Sequence, residues 1–319
     1  MIKFKTFLFY IIFLLTGTAL YSQEWTYYGP NSGPATDISI DPSEGTIFIS
    51  TDPGGLFKST ESMTQYEIVN QGIEFLAHPF ANTVAVDPYR GNYVFAGVYN
   101  ALYLSTDNGS DWVTTSLIAD MAIKKIIFYD NTTMFIQTLG SIYRSTDAGE
   151  TFQPLTISLT EVIDLEIDSF NSIVYSASTE NVIMSSDMGQ TWNDLTLPEY
   201  GFGIKDIHIG TFTNKLYLLS FEKIFVTNDA TAAWEDITYN APIASYEIYE
   251  DPFSSGNVYL AGVDRFYKLG TGSWQSSSNG LIEMQGGYPS PIIVTGIHID
   301  PNIQDNIQND NHNYSLAQP

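Results

Sequence analysis

Apolar and polar residues alternate along most of the chain with the two-residue period of half-buried strands. The clearest stretches end in an acid: Asp37-Ile-Ser-Ile-Asp41, Thr83-Val-Ala-Val-Asp87, Asp164-Leu-Glu-Ile-Asp168 and Gly296-Ile-His-Ile-Asp300. Weaker copies end near Asp130, Gly210 and Asp251, so one unit starts seven times, at spacings of about 40 residues. Each of the first six starts is followed by three more strand-like pieces. The second pieces are rich in aromatic and β-branched residues: Ile47–Ser50, Tyr93–Ala96, Phe135–Gln137, Ile173–Ser176, Leu216–Leu219 and Val258–Ala261. The third are Leu56–Ser59, Leu102–Ser105, Ile142–Ser145, Val182–Ser185, Ile224–Thr227 and Phe266–Lys268. The fourth open on Tyr66, Trp112, Phe152, Trp192, Trp234 and Trp274. Gly, Asp and Asn turns separate them, and no long helix-period segment intervenes.

Four antiparallel strands in each repeat predict the blade of a β-propeller. A lone blade cannot bury both faces of its sheet, whereas radial stacking buries them against neighbours. A two-sheet sandwich gives no reason for a four-strand period repeated six times. The expected fold is all-β: a propeller of four-stranded antiparallel blades over residues 23–300, with six complete blades and an incomplete seventh. That seventh begins at Val294–Asp300 and is followed by a polar, Asn/Gln-rich segment, 301–319, expected to be a disordered tail or the mark of a truncated gene product. Trp25 precedes the first blade and has the character of a fourth-strand aromatic that closes a ring.

A turn recurs between the third and fourth strands. Its copies are Ser105-Thr-Asp107-Asn-Gly109-Ser-Asp-Trp112, Ser145-Thr-Asp147-Ala-Gly149-Glu-Thr-Phe152 and Ser185-Ser-Asp187-Met-Gly189-Gln-Thr-Trp192. These resemble the Asp-box, or BNR, repeat of sialidases, sortilin-type receptor propellers, xyloglucan-hydrolase propellers and photosystem-assembly-factor propellers. The first, fifth and sixth repeats have degenerate copies. Physically the Asp accepts hydrogen bonds from turn N–H groups, the Gly supplies a left-handed backbone angle, and the aromatic covers the hairpin. The resemblance therefore implies a structural role for these residues, on the side away from any ligand site.

The first residues read as an address. Lys3 and Lys5 precede an apolar run, Phe7 to Leu15, too short to span a bilayer, and small residues follow. Residues 1–22 are expected to be a secretory signal, which places the protein outside the cell or in a periplasm. The chain has no cysteine, so no disulfide can staple it. Acids outnumber bases 36 to 12, a net charge of −24 that repels phosphate backbones and anionic lipid. Nucleic-acid partners and membrane insertion are disfavoured, and a monomer without cofactor is expected.

Strands alternate direction, so loops after the second strand share one end with the links between repeats, opposite the Asp-containing turns. That end gathers Asp52, His78, Phe80, Tyr99, Asn100, Asp120, Glu180, Tyr200, Phe202, Glu222, Asp264, Arg265 and Tyr288. Acids among aromatics suit sugars or extended peptides. The ligand-binding candidates are Tyr99, Asn100, Glu180, Tyr200, Phe202, Glu222, Asp264, Arg265 and Tyr288. Sialidases need three converging arginines; only Arg90, Arg144 and Arg265 exist, and Arg144 adjoins an Asp-containing turn on the wrong side. Thr51-Asp-Pro-Gly-Gly-Leu-Phe-Lys58 resembles a segment of xyloglucan hydrolases, which implies Asp52 as a catalytic carboxylate. Glycoside hydrolysis needs two carboxyls, and no motif nominates the second. Glu166, His208, Glu247 and His298 share one alternate position of the first strands, where they could face a central channel and hold a metal; ordinary solvated polar side chains explain them as well. The resulting expectation is a secreted, non-enzymatic propeller that binds an extracellular protein or glycan. A glycoside hydrolase using Asp52 is the alternative.

Overall fold

The computed structural model describes residues 34–59, 65–75, 79–198, 203–228, 233–242, 245–251, 257–262, 265–270 and 272–276. Of residues 265, 266 and 276, and of strands Phe9–Leu14, Ile282–Gln285, Tyr288–Pro291, Ile293–Ile299 and His312–Gln318, it describes the backbone only. Trp25, most of the expected signal and most of the polar tail lie outside the described residues.

Six four-stranded sheets follow one another along the chain, each made of four strands in sequence order. They span residues 35–68, 83–118, 123–154, 164–194, 204–236 and 245–276. All the pairings are antiparallel. Two compact units divide the chain: Met1–Leu139 with Tyr143–Gln153 and Asp300–Pro319, and Gly140–Ile142 with Pro154–Ile299.

Within the first unit, sheet one packs on sheet two through Phe48, Leu56 and Val69 against Val84, Val94 and Trp112. Sheet two packs on sheet three through Phe95 and Leu102 against Ile123, Ile126 and Met134. Within the second unit, Tyr175, Val182 and Leu195 of sheet four meet Ile207, Leu216 and Phe225 of sheet five. Tyr217, Ile224 and Val226 of sheet five meet Ile248, Val258 and Trp274 of sheet six. Second strands such as Ile47–Thr51 and Leu216–Ser220 are buried at every residue. A strand covered on both faces has no polar side, which is why these pieces read as apolar runs. Phe48 and Phe95 are fully buried, and each contributes about 2–3 kcal/mol.

The first strand is the edge of each sheet, with a row of N–H groups that its own sheet cannot satisfy. Side chains of the preceding sheet accept some of them. Asp37 Oδ2 accepts the Val84 N–H (3.2 Å), Asp164 Oδ2 that of Ile207 (3.2 Å) and Asp206 Oδ2 that of Ile248 (2.8 Å). Ser39 Oγ does the same for Val86 (3.0 Å). In sheets one, three, five and six a one-residue irregularity stands just before this capping position, at Ala35/Asp37, Ile123/Lys125, Ile204/Asp206 and Ser245/Glu247. Such a bulge re-aims the side chains around it.

Fourth strands differ from expectation. In sheets one, three, four and five they shrink to two exposed residues, Glu67–Ile68, Gln153–Pro154, Asn193–Asp194 and Glu235–Asp236, each beginning after the aromatic. The aromatic reaches toward the neighbouring sheet. Trp112 Nε1 donates to Val69 O (2.8 Å), Trp234 Nε1 to Thr196 O (2.9 Å) and Trp274 Nε1 to Ile237 O (2.8 Å), each carbonyl belonging to the sheet before. Strand Ile293–Ile299 runs beside the first strand of sheet six, Ser245–Glu250.

Candidate recognition surface

The Ser-x-Asp-x-Gly turns share one geometry. Ser105, Ser145 and Ser185 Oγ donate to Asp107, Asp147 and Asp187 Oδ1, each at 2.7 Å. Each Ser Oγ also accepts the N–H of Gly109, Gly149 or Gly189, and each Asp Oδ1 accepts the N–H four residues on. The hydrogen bonds hold the Asp187 carboxyl down at about 2, with Thr191 and Ser185 as donors, and depress Asp107 and Asp147 too. Gly109 and Gly149 have φ of 84° and 89°, and a Cβ there would strike the Phe48 and Phe95 rings at 2.7 and 2.9 Å. Both the backbone angle and the close approach require glycine.

The opposite end of the sheets carries the candidate binding residues. In the first unit, Gly54 N–H donates to Pro79 O (2.7 Å), while Asn70 accepts from Leu56 N–H and donates to Gly54 O. Three hydrogen bonds to two residues, Pro79 and Asn70, thereby clamp the Asp52 turn, in which Asp52–Pro53 is cis. Tyr99, at φ 53°, meets Phe80 edge-on with centroids 5.6 Å apart. Asn100 Nδ2 donates to Ala119 O (3.0 Å) and Asn100 O accepts from Ala119 N–H (2.8 Å). Asp120 Oδ1 accepts from Thr138 Oγ1 (3.0 Å) and Tyr143 Oη (3.2 Å). Those bonds fix the link into sheet three.

In the second unit two turns are built alike. Ser178 Oγ accepts the N–H groups of Glu180 and Asn181, and Ser220 Oγ those of Glu222 and Lys223. Each turn leaves a glutamate exposed, Glu180 in one and Glu222 in the other. Tyr200, Phe202, Asp264 and His78 lie outside the described residues, and Arg265 and Tyr288 are described by backbone alone.

Beside Glu222 the structure assembles a cluster absent from the sequence candidates. The Phe221 ring rests against Gly203, where a Cβ would lie 2.4 Å away. Lys205 Nζ sits 4.4 Å from the Phe221 centroid and 5.6 Å from that of Tyr246, and donates to Ser245 O (2.8 Å). Phe221 stays 57% exposed and Tyr246 41%. Partial burial lowers the Lys205 ammonium below the usual lysine range. Lys205 and Tyr246 are the residues inserted by the bulges of sheets five and six, which turn them toward this end. A doubled position at the start of those two first strands was the only available signal in the sequence.

The first-strand polar residues do not make a metal centre among the described residues: no group of three His, Asp or Glu side chains has that geometry. His208 Nδ1 is 4.0 Å from Glu166 Oε2, and its ring lies 4.7 Å from Tyr249. Asp206 is raised well above the carboxylate range, first by burial and then by the Asp164 and Glu247 carboxylates. A side-chain hydrogen bond to Asp164 pushes Asp206 in the same direction. Among the described residues no helix is long and apolar enough to cross a membrane.

Sheets of this number, order and mutual packing define a β-propeller, and solved structures agree. No protein-family model and no curated protein matches the chain. An ancestral GH74 enzyme superposes with a TM-score of 0.71 at 20% identity, over 85% of this chain and 42% of its own. A Niastella koreensis GH74 enzyme gives 0.67 at 17%, over 86% and 51%. YCF48, solved bound to D1 peptide, gives 0.67 at 16%, over 95% and 97%. The chain thus spans about half the length of the GH74 enzymes and nearly all of YCF48. The likeness establishes the β-propeller fold.

Proposed function

We propose that the chain is a secreted, non-enzymatic recognition propeller of the Asp-box kind, which binds an extracellular protein segment or glycan at the end opposite the Ser-x-Asp-x-Gly turns. The observation that carries this reading is the Phe221–Lys205–Tyr246 cluster. Two exposed rings flank an ammonium, with the Glu180 and Glu222 carboxylates on turns at the same end. Rings offer stacking area, the ammonium donates, and the carboxylates accept hydroxyl or amide protons. YCF48, matched across nearly its whole length, was solved with a peptide bound, which is compatible with a single propeller of this size serving as a receptor. The run of Ile293–Ile299 beside Ser245–Glu250 supports a seventh blade that begins there. A glycan and peptide array on the intact protein tests the reading: wild type binds, and Phe221→Ala lowers the signal on the same spots.

A second reading is favoured by the Asp52 turn, whose clamping by Pro79 and Asn70 would hold a carboxylate rigidly. In that case the protein is a glycoside hydrolase. Release of reducing ends from polysaccharides, lost in Asp52→Asn, supports the hydrolase; binding without turnover in both proteins supports the receptor.

A further inference from the structure

We propose that the outer edge of sheet two, the strand Val113–Ile118, is a second interaction surface, which accepts an extended basic peptide segment as an added β-strand. The fourth strand ends its sheet, and among the described residues no further strand pairs beyond it. An open edge offers backbone N–H and C=O groups to any extended chain, and proteins ordinarily blunt it with short strands, charges or proline. The other five sheets follow that rule. Their fourth strands are two or three residues long, and four of these carry a charge or a proline: Glu67–Ile68, Gln153–Pro154, Asn193–Asp194 and Glu235–Asp236. Sheet two is the exception. Its fourth strand has six residues, Val-Thr-Thr-Ser-Leu-Ile, with no charge, proline or glycine among them. Val113 and Ile118 are 62% and 61% exposed, and Thr114 and Ser116 are exposed between them. One irregularity interrupts the inner pairing, where the Leu117 N–H turns to Thr115 Oγ1. Val113 and Thr114 on one side of it and Ile118 on the other stay paired to the third strand, so the edge remains extended.

The charges around the strand select the partner. Asp111 stands just before it and Asp120 just after, both exposed, and residues 106–123 hold no lysine, arginine or histidine. Glu150, whose backbone carbonyl accepts the Ser116 hydroxyl, adds a third exposed carboxylate. A second copy of this chain fits poorly. Antiparallel self-pairing that sets Val113 opposite Ile118 also sets Asp111 opposite Asp120, at both ends of the pair. Like charges directly opposed across paired strands are destabilising. A foreign segment with uncharged, β-branched residues between lysines or arginines meets a carboxylate at each end instead. Main-chain hydrogen bonds then supply the affinity, and the flanking charges supply the selection.

The strand belongs to the first compact unit and the Phe221 cluster to the second, so this surface is tested apart from the receptor reading above. Fluorescence anisotropy on the full chain would use the labelled peptide Lys-Lys-Thr-Val-Thr-Val-Thr-Val-Lys-Lys. Two controls accompany it: the same peptide with glutamates for lysines, and one N-methylated at every central residue. The lysine peptide should bind, and each control should bind at least about tenfold more weakly. Hydrogen exchange with the lysine peptide bound should slow at residues 113–118. Asp111→Lys, a change at an exposed position, should weaken its binding about threefold to tenfold. Phe221→Ala should leave it unchanged. No binding of the lysine peptide, equal binding of the N-methylated one, or unchanged affinity in Asp111→Lys would overturn the proposal. So would exchange slowed only outside 113–118, or a dimer in sedimentation that Ile118→Lys abolishes. Circular dichroism melts establish that the variants fold.

Discussion

Glu250 of sheet six reaches into the turn of sheet five at the point where Gly210 leaves it room. Its carboxylate accepts the N–H groups of Phe212 (3.3 Å) and Thr213 (3.0 Å) and the Tyr217 hydroxyl (3.1 Å). A Cβ on residue 210 would lie 2.1 Å from Glu250 Oε2. In sheets one to four the same turn is held from within by Asp41, Asp87, Asp130 and Asp168. Sheet five has moved that carboxylate to its neighbour. Burial, and then the Glu250 charge, raise the Tyr217 phenol above its usual range.

A double-mutant cycle follows from this exchange. Gly210→Asp crowds Glu250, and Glu250→Ile strands two N–H groups and the hydroxyls of Thr213 and Tyr217, so each alone should cost about 3 kcal/mol or more. Together they restore the arrangement of the other sheets and should recover most of that loss. Urea melts of the four proteins measure the coupling; additive losses would show that Glu250 does not replace the missing Asp.

Asp37 gives a pH signature. Burial raises its carboxyl from 3.8 to about 6, against the opposing hydrogen bonds of Thr83, Ile38 and Val84. A carboxyl whose folded value exceeds its unfolded one contributes stability that is complete below about pH 4 and is lost as pH rises through 6. Asp37→Asn cannot ionise, so its melting temperature relative to wild type should climb between pH 4 and pH 7. A difference independent of pH would contradict the assignment.

Two turns hold non-glycine residues in the left-handed region, Ala148 at φ 60° and Met188 at φ 58°, where the second-sheet turn has Asn108. Asparagine tolerates that conformation better than alanine or methionine. Ala148→Asn and Met188→Asn should each stabilise by about 0.5–1 kcal/mol, seen as a higher melting temperature; lower values would mean that the side chains pack more than the backbone strains.

The indole of Trp112 is 2% exposed and bonds Val69 O in the preceding sheet. That of Trp192 makes no hydrogen bond among the described residues. Replacement by Phe should therefore cost about 1–2 kcal/mol more at 112 than at 192 in denaturant unfolding. Equal costs would indicate that packing alone secures these aromatics.

The repeat was legible because its signals are local. Alternation, buried apolar second strands and the Ser-x-Asp-x-Gly turns each lie within a few residues, and six four-stranded sheets follow from them. The fourth strands are expected to open on the aromatic, and in sheet six the strand does, but in the first five sheets they begin one residue later; Trp112 and Trp234 reach back to carbonyls of the sheet before. Glu250 could not be paired with Gly210 from sequence, since the contact crosses between repeats. Phe221, Lys205 and Tyr246 escaped for a similar reason. They come together only because bulges in two first strands turn Lys205 and Tyr246 outward, and a bulge leaves almost no trace in the alternation of residues.

The receptor account is tested most directly by isothermal titration of the intact protein with the strongest ligand from the glycan and peptide array, beside Phe221→Ala and Lys205→Met. Loss of a stacking ring or its ammonium should weaken binding by about fivefold to thirtyfold, with the ligand recovered chemically unchanged. Affinity equal to wild type in both variants, or a ligand found cleaved after incubation, would contradict it.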